Sequence, residues 1–408
     1  MELRPILSAM RRNKVGAILI GVQMAITLAI LCNALFIIEQ RVALAKRPTG
    51  LDENNVFVID NQWVGNPADL AAKLRADLAA LRSTPGVVDA VASNSSPLSN
   101  GGSTEGVMLT PDQKEPTALT ALYLADEHGL NAMGLKLVAG RNFNSDEVID
   151  KVGYTDLSAP SALIITKTMA DKLFPGKSAV GQSIIVDFQK RRAPIVGVVD
   201  RLQVPWIQAG GWGSKFNDNS TLEPFRFVIP YVHYIVRTQP GQIAQVQKAA
   251  EKTLIDLDRA RVIEKNRTQT EARVEAYKDD RGLVIILSVV CAALVAVTAF
   301  GIVGLTSYWV SQRRRQIGIR RALGATRQAI IHYFQTENFL IAAAGSLAGV
   351  GMAVGLNMWM VSTFEMERLH TGYALVGAVL VLVLGQLAVL WPALRAASIP
   401  PALATRAA

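Results

Sequence analysis

The sequence predicts an α+β membrane protein, with four transmembrane helices and a large extracytoplasmic α+β domain inserted between helices 1 and 2. Three observations carry this. Half of the 408 residues are hydrophobic, and they gather into four long apolar runs. Residues 39–281, between the first two runs, instead show short strand and helix patterns broken by turn residues. Charge divides in the same way. Residues 39–281 hold 29 Lys+Arg and 29 Asp+Glu, whereas the rest hold 13 basic and 4 acidic residues and supply the whole net charge of +9. A basic excess confined to the flanks of apolar runs is a topology signal, and it argues against nucleic-acid binding.

Residues 1–14 are short and basic, with Arg4, Arg11, Arg12 and Lys14 ahead of an apolar run at 15–38. A span needs about 20 apolar residues. Ala43-Leu44-Ala45 mimics a signal-peptidase site, but Glu39 and Arg41 intervene and the run is long for a signal peptide. The expectation is an uncleaved anchor with a cytoplasmic N-terminus.

In the domain at 39–281, Val56 to Ile59 reads as a strand. Asn66 and Pro67 open a helix with Leu70, Leu74, Leu78 and Leu81 on one face, and Pro85-Gly86 turns into a strand at 87–92. The pattern recurs as a strand from Phe225 to Val236, a turn at Gln239-Pro240-Gly241, and a helix with Ile243, Val246, Ala250, Leu254 and Leu257 on one face. One subdomain built from both ends (39–95 and 221–265) around an insertion (96–220) is expected. Residues 93–106 are polar and Gly-rich, a hinge by composition. Short β-rich segments follow at 163–166, 183–188 and 194–199. The segment 203–220 places Trp206 and Trp212 among glycines, as a core edge or a partner-contacting loop. Residues 266–281 read as a helical stalk running into the next span.

The later spans are expected at 282–310, 329–360 and 372–394, with a periplasmic loop at 361–371 carrying Glu365 and Glu367, and a cytoplasmic tail at 395–408. The third contains Gly345-xxx-Gly349 and Gly351-xxx-Gly355, patterns that permit close helix packing. Glu337 lies well inside it, where a carboxylate costs free energy unless paired, protonated or interfacial. Residues 311–328 form the cytoplasmic loop, SQRRRQIGIRRALGATRQ. Arg313, Arg320 and Arg327 are spaced by seven, as are Arg314 and Arg321, which on one helix gathers cations along a stripe. Gly324 suits a left-handed helix end and Thr326 the next N-cap. The arginines hold the loop on the cytoplasmic side; the segment Gly318 to Ala325 also reads as a protein-docking helix.

No chemistry of its own is expected of these residues. Gly176-Lys177-Ser178 lacks the phosphate loop's first glycine, since Asp171 occupies that position. His128, His233, His332 and His370 have no metal-ligand spacing. Cys32 and Cys291 sit inside apolar runs as small hydrophobes. Catalytic, cofactor and metal residues are therefore expected to be none.

Four stretches resemble permeases of the MacB/FtsX type, membrane subunits of ABC transporters. Gln316-Ile-Gly-Ile-Arg-Arg-Ala-Leu-Gly-Ala325 is similar to the coupling segment of that family, and Glu337 with Gly345 and Gly349 to its third helix. Gly134 to Phe143, and Leu173 to Gly181 with Val196 to Val199, resemble its periplasmic core. The resemblance implies Porter-like and Sabre-like subdomains, a dimer, and an inner-membrane location. It also implies a coupling helix (Arg313, Arg314, Arg315, Gln316, Ile317, Gly318, Ile319, Arg320, Arg321, Ala322, Leu323 and Gly324) for a separate cytoplasmic ATPase that holds the ATP and magnesium. Movement of the periplasmic domain would drive export by mechanotransmission, with a periplasmic adaptor and outer-membrane channel as further partners. Control of cell-wall hydrolases, as in the FtsX branch, and lipoprotein release are the alternatives. Gln316 departs from the family's glutamate, which puts in doubt any ion pair made there.

Overall fold

The computed structural model describes residues 14–65, 69–153, 156, 158–186, 191–206, 218–364 and 368–398. The basic N-terminus up to Asn13, the helix opening at Asn66-Pro67, Trp212 with its glycines, Glu365, Glu367 and most of the tail lie outside them. The chain divides into two compact units, residues 1–44 with 280–408, and residues 45–279.

The first described element is α1 (Lys14–Ala45); in the second unit β1 (Val56–Trp63), α2 (Leu70–Ser83) and β2 (Val87–Ser93) form the first strand–helix–strand pass. The insertion carries β3 (Ser103–Met108), β4 (Ala118–Leu124), α3 (Gly129–Met133), β5 (Leu137–Gly140), β6 (Ile149–Val152), β7 (Leu163–Thr166), α4 (Lys167–Leu173), β8 (Ser183–Val186), β9 (Arg191–Val199) and β10 (Ser220–Glu223), of which β6 stands outside its main sheet. After them come β11 (Phe225–Val228), β12 (Tyr231–Thr238), α5 (Ile243–Leu257), β13 (Arg261–Thr268) and α6 (Gln269–Ala276).

Both ends of this unit share one four-stranded sheet, in the order β13-β1-β12-β2. The apolar faces of α2 and α5 meet it in one core: Leu74, Leu78 and Leu81 join Val246, Ala250 and Leu254 over Phe57, Ile59 and Tyr234. Asp69 caps α2, accepting from the Ala72 N–H at 3.1 Å. A buried ion pair ties helix to sheet. Arg261 donates to both Asp77 oxygens at 2.8 and 2.9 Å, each side chain is 1% exposed, and the Tyr234 hydroxyl donates to the same carboxylate at 2.6 Å. Burial first, and then the Asp77 charge, push the Tyr234 phenol well above its usual pKa.

The insertion is a seven-stranded sheet, β5-β9-β7-β10-β4-β3-β8, in which β8 also pairs with β9. That pairing closes six strands on themselves and removes the free edges an open sheet would leave. Alternation along β7 shows the two sides: Leu163 and Ile165 pack with Val107, Ile184 and Ile195, while Ile164 packs with Tyr123, Leu130 and Leu222.

Four sequence expectations are corrected here. The strand read from Phe225 to Val236 is two strands, β11 and β12, parted by Ile229-Pro230; proline brings no N–H to a ladder, and its carbonyl instead accepts from Trp63. β10 belongs to the barrel through β4 and β7, so the four-stranded sheet resumes at Tyr231 and not at 221. Residues 93–106 are not a free hinge: Ser93 ends β2, residues 103–106 open β3, and the loop between them is packed at its start. Ser93, Ser95 and Ser96 are buried, Asn100 N–H reaches the Pro205 carbonyl, and Gln269 donates to Pro97. The stalk is interrupted as well. Residues 266–268 finish β13, a Thr268–Glu271 capping box starts α6, and helical geometry breaks at the fully buried Tyr277 before the next helix begins at Lys278.

The first unit contains α1 with α7 (Lys278–Gln312), α8 (Arg314–Ala322), α9 (Arg327–Phe364) and α10 (Thr371–Ala397). All but α8 are long and apolar enough to cross a membrane. Met24, Leu28 and Cys32 of α1 face Ile341, Ala342 and Val381 of α9 and α10. Gly345 and Gly349 set the α1–α9 approach: an added Cβ would meet the Gly21 carbonyl at 2.7 Å and the Ala25 carbonyl at 2.9 Å. Gly351 and Gly355, the other small-residue pair, have no described neighbour within 4 Å of such a Cβ.

Candidate functional site: the arginine helix and its membrane anchor

The arginine-rich segment is built from three local decisions. At Arg313 the backbone leaves helical geometry (φ −97°, ψ 10°), so α7 ends and α8 starts with Arg313 as its N-cap. At the far end, Gly324 takes φ +97°, which a side chain would resist, and the Ala325 N–H reaches back to the Arg320 carbonyl at 3.0 Å. Thr326 then caps α9, its hydroxyl accepting from the Ala329 N–H at 3.1 Å.

This geometry alters the expected stripe of cations. Arg313 precedes α8 and Arg327 begins α9, so the Arg313–Arg320–Arg327 series does not fall on one helix, whereas Arg314 and Arg321 both lie on α8. Arg313 instead turns inward and donates from one nitrogen to both Glu337 oxygens, at 3.0 and 3.1 Å. Glu337 is 4% exposed. An ionised carboxylate at such a site is costly unless paired, and the guanidinium beside it supplies the pairing. Arg320 lies over the Tyr333 ring, 5.0 Å from its centroid, a second tie between α8 and α9.

Ile317 and Gly318 are the buried face of α8, with Ile317 packed into the membrane core beside Ile330 and Phe334. The opposite face carries Arg314, Arg315, Gln316, Ile319 and Arg320 to the surface, with Ala322, Leu323 and Gly324 at its end. Arg321 is half-buried. Leu323 is 83% exposed and Ile319 44%, so the outer surface is cationic with two apolar side chains set into it. Gly345 and Gly349 lie further along α9, at the α1 contact and away from α8.

Several polar ties escape a reading by sequence alone. Gln23 donates to the Val297 carbonyl at 3.1 Å, Thr27 and Thr298 hydroxyls meet at 2.8 Å, and Asn33 donates to the Ala353 carbonyl at 3.1 Å. At the other end of α1, Arg41 pairs with Asp280 at 2.6 Å. The only signal was the presence of Gln, Thr and Asn inside an apolar run, four residues apart at Gln23 and Thr27 and hence on one helix face. Among the described residues no group of three His, Cys, Asp or Glu side chains is placed to hold a metal ion.

Four apolar helices, an α+β domain between the first two, and a short basic helix between the second and third define a multi-pass membrane protein of permease type. The chain belongs to the MacB-like periplasmic core domain family, which matches residues 15–253, and its residues 288–401 match the FtsX-like permease C-terminal region. It is 27% identical over 279 residues to the macrolide export ATP-binding/permease protein MacB of Neisseria meningitidis (serogroup A), covering 64% of this chain and 40% of that one. The MacB of Rhodospirillum rubrum is 27% identical over 266 residues, covering 62% and 39%. The chain thus spans about two-fifths of the length of these relatives. Among solved structures, the periplasmic region of MacB from Actinobacillus actinomycetemcomitans matches at 14% identity and a TM-score of 0.35, covering 56% of this chain and 94% of that one. The extracellular domain of the ABC-type transporter YknZ matches at 19% identity and a TM-score of 0.32, covering 51% and all of that chain.

Proposed function

We propose that the chain is the permease subunit of an ABC transporter, coupling ATP hydrolysis by a separate ATPase to movement of its periplasmic domain and so driving export of a periplasmic substrate. The observation that carries this reading is the arginine helix. α8 is held to α9 by the Arg313–Glu337 pair while presenting Ile319, Leu323 and surface arginines outward. A short helix that is anchored on one face and cationic with apolar insets on the other suits a docking element for an acidic groove. N- and C-termini are assigned to the cytoplasm of a bacterial inner membrane, in keeping with the arginines of residues 311–328. A second copy or a paralogue completes the dimer; a periplasmic adaptor and outer-membrane channel extend the route outward.

Affinity purification of the tagged chain in mild detergent, with ATPase activity assayed and partners identified, tests the reading. Co-purification of an ATP-hydrolysing ABC subunit is expected. Its absence, under conditions that preserve a known complex of this kind, refutes the assignment. Recovery of a cell-wall hydrolase in place of an adaptor, or of acylated protein, would redirect the substrate to the FtsX-like or lipoprotein-release alternative.

A further inference from the structure

A cavity of 510 Å³ lies where the ends of α7 and α10 meet the start of α8. Its walls carry two guanidiniums, Arg314 and Arg395, and the hydroxyls of Ser307, Ser311 and Ser398. Both arginines are exposed, and among the described residues neither pairs with a carboxylate. Arg395 is held in place by the Trp391 ring, 4.6 Å from its centroid. Ser398 donates to the Arg395 carbonyl, whereas the Ser307 and Ser311 hydroxyls have no hydrogen-bond partner among the described residues. The surroundings are those of a membrane boundary. Trp391 and Tyr308, each next to a residue of the cavity wall, are 53% and 59% exposed, and Leu394 is 50% exposed beside them. Amphipathic rings at that level mark the headgroup region, and aliphatic side chains mark the start of the acyl chains.

Two guanidiniums and two hydroxyls without a hydrogen-bond partner among the described residues, in a cleft that borders acyl chains, match a phosphodiester carrying hydrophobic tails. We propose that this cleft binds the headgroup of an anionic phospholipid such as phosphatidylglycerol, its phosphate between Arg314 and Arg395 and its acyl chains along the outer surface of α10. The site uses the first residue of the arginine helix, so a bound lipid bridges α8 to α10, a connection that the Arg313–Glu337 pair makes only to α9. The inference rests on placing this end of the helices at the cytoplasmic face, and not on any ATPase.

The test is native mass spectrometry of the full chain in mild detergent, titrated with phosphatidylglycerol or phosphatidylethanolamine. One retained phosphatidylglycerol per chain is expected. An arginine near an anionic headgroup contributes roughly a fivefold gain in affinity, so the Arg314→Gln/Arg395→Gln variant should bind about thirtyfold more weakly. Arg314→Lys/Arg395→Lys should keep most of the binding, which separates lost charge from lost fold. Arg327→Gln, outside the cavity, should bind as the parent does. Undiminished phosphatidylglycerol binding by the double glutamine variant, or equal binding of phosphatidylethanolamine by the parent, overturns the proposal. Displacement of the lipid by millimolar inorganic phosphate would reassign the cleft to a soluble phosphate compound and overturn the lipid assignment. The assay contains neither ATPase nor ATP, so its failure and that of the transporter reading are separate results.

Discussion

Removing one member of the Arg313–Glu337 pair leaves the other as an uncompensated charge, and the cost of that is what the structure predicts. Both side chains are largely buried, at 14% and 5% exposure, and the guanidinium contacts both carboxylate oxygens within 3.1 Å. Breaking a buried pair from one side costs roughly 3–5 kcal/mol, whereas replacing both partners with apolar residues is often close to neutral. Glu337→Leu and Arg313→Leu should each destabilise by about 3 kcal/mol, a fall of roughly 6–12 °C in melting temperature for a unit of this size. The double variant should recover most of the loss and lie within about 1 kcal/mol of the parent, a coupling of about 5 kcal/mol between the sites. Melting in detergent, followed by intrinsic tryptophan fluorescence, reads the cycle; Trp309 lies one turn before Arg313 and reports locally. Single variants within a degree of the parent, or a double variant as unstable as the two losses summed, would refute the account of Glu337 as a paired carboxylate.

Charge reversal at Arg320 and Arg321 should reduce recovery of the proposed ATPase in a pull-down while membrane insertion is kept; unchanged recovery removes the docking role from these two residues. Gly349→Val should destabilise the membrane unit by 2 kcal/mol or more, of the order that overpacking costs, because its Cβ would strike the Ala25 carbonyl, while Gly351→Val should leave single-chain stability near the parent's. Thermal melting of the two side by side decides it. Asp77→Ala should cost roughly 3–5 kcal/mol in the periplasmic unit by stranding Arg261 in the core, read as a lower denaturation midpoint. Glu53 gives a pH signature. Burial raises its pKa, but hydrogen bonds from Arg273 and Thr49 outweigh that and hold it below the usual 4.5. A depressed folded pKa means stability present above about pH 4.5 and lost as pH falls through the folded value. Glu53→Gln should flatten the acid limb of the melting-temperature profile, and an unaltered limb would remove Glu53 from it.

Elements governed by periodicity and composition were legible in the residues. The leucines of α2 and the apolar face of α5 are three- and four-residue repeats, and Gly324 and Thr326 are local backbone chemistry, so each could be read without a partner. Long-range events could not. Whether Glu337 lies paired or interfacial depends on Arg313, 24 positions earlier, and on a helix break whose residues have no strong breaker among them. Closure of the barrel depends on β8 meeting β9, and on the short β10 being claimed by β4 and β7 and not by the four-stranded sheet. The buried serines of the loop between β2 and β3 are illegible for the same reason. Their composition is that of a linker, and only distant acceptors and donors such as Pro205 and Gln269 pack it.

The polar ties of α1 have a consequence for how the protein is made. α1 leaves the ribosome before the other three membrane helices, yet Thr27 must wait for Thr298, 271 positions later, and Asn33 for Ala353, 320 later. At roughly 5–20 residues per second that is an interval on the order of tens of seconds. During it Gln23, Thr27 and Asn33 sit in lipid, or in the lateral gate of the insertion machinery, with their intended partners still unsynthesised. The helix that lies at the centre of the finished membrane unit is therefore the one most dependent on custody during its own biogenesis. Apolar replacements at these three positions should ease insertion of the nascent chain even as they loosen the mature bundle.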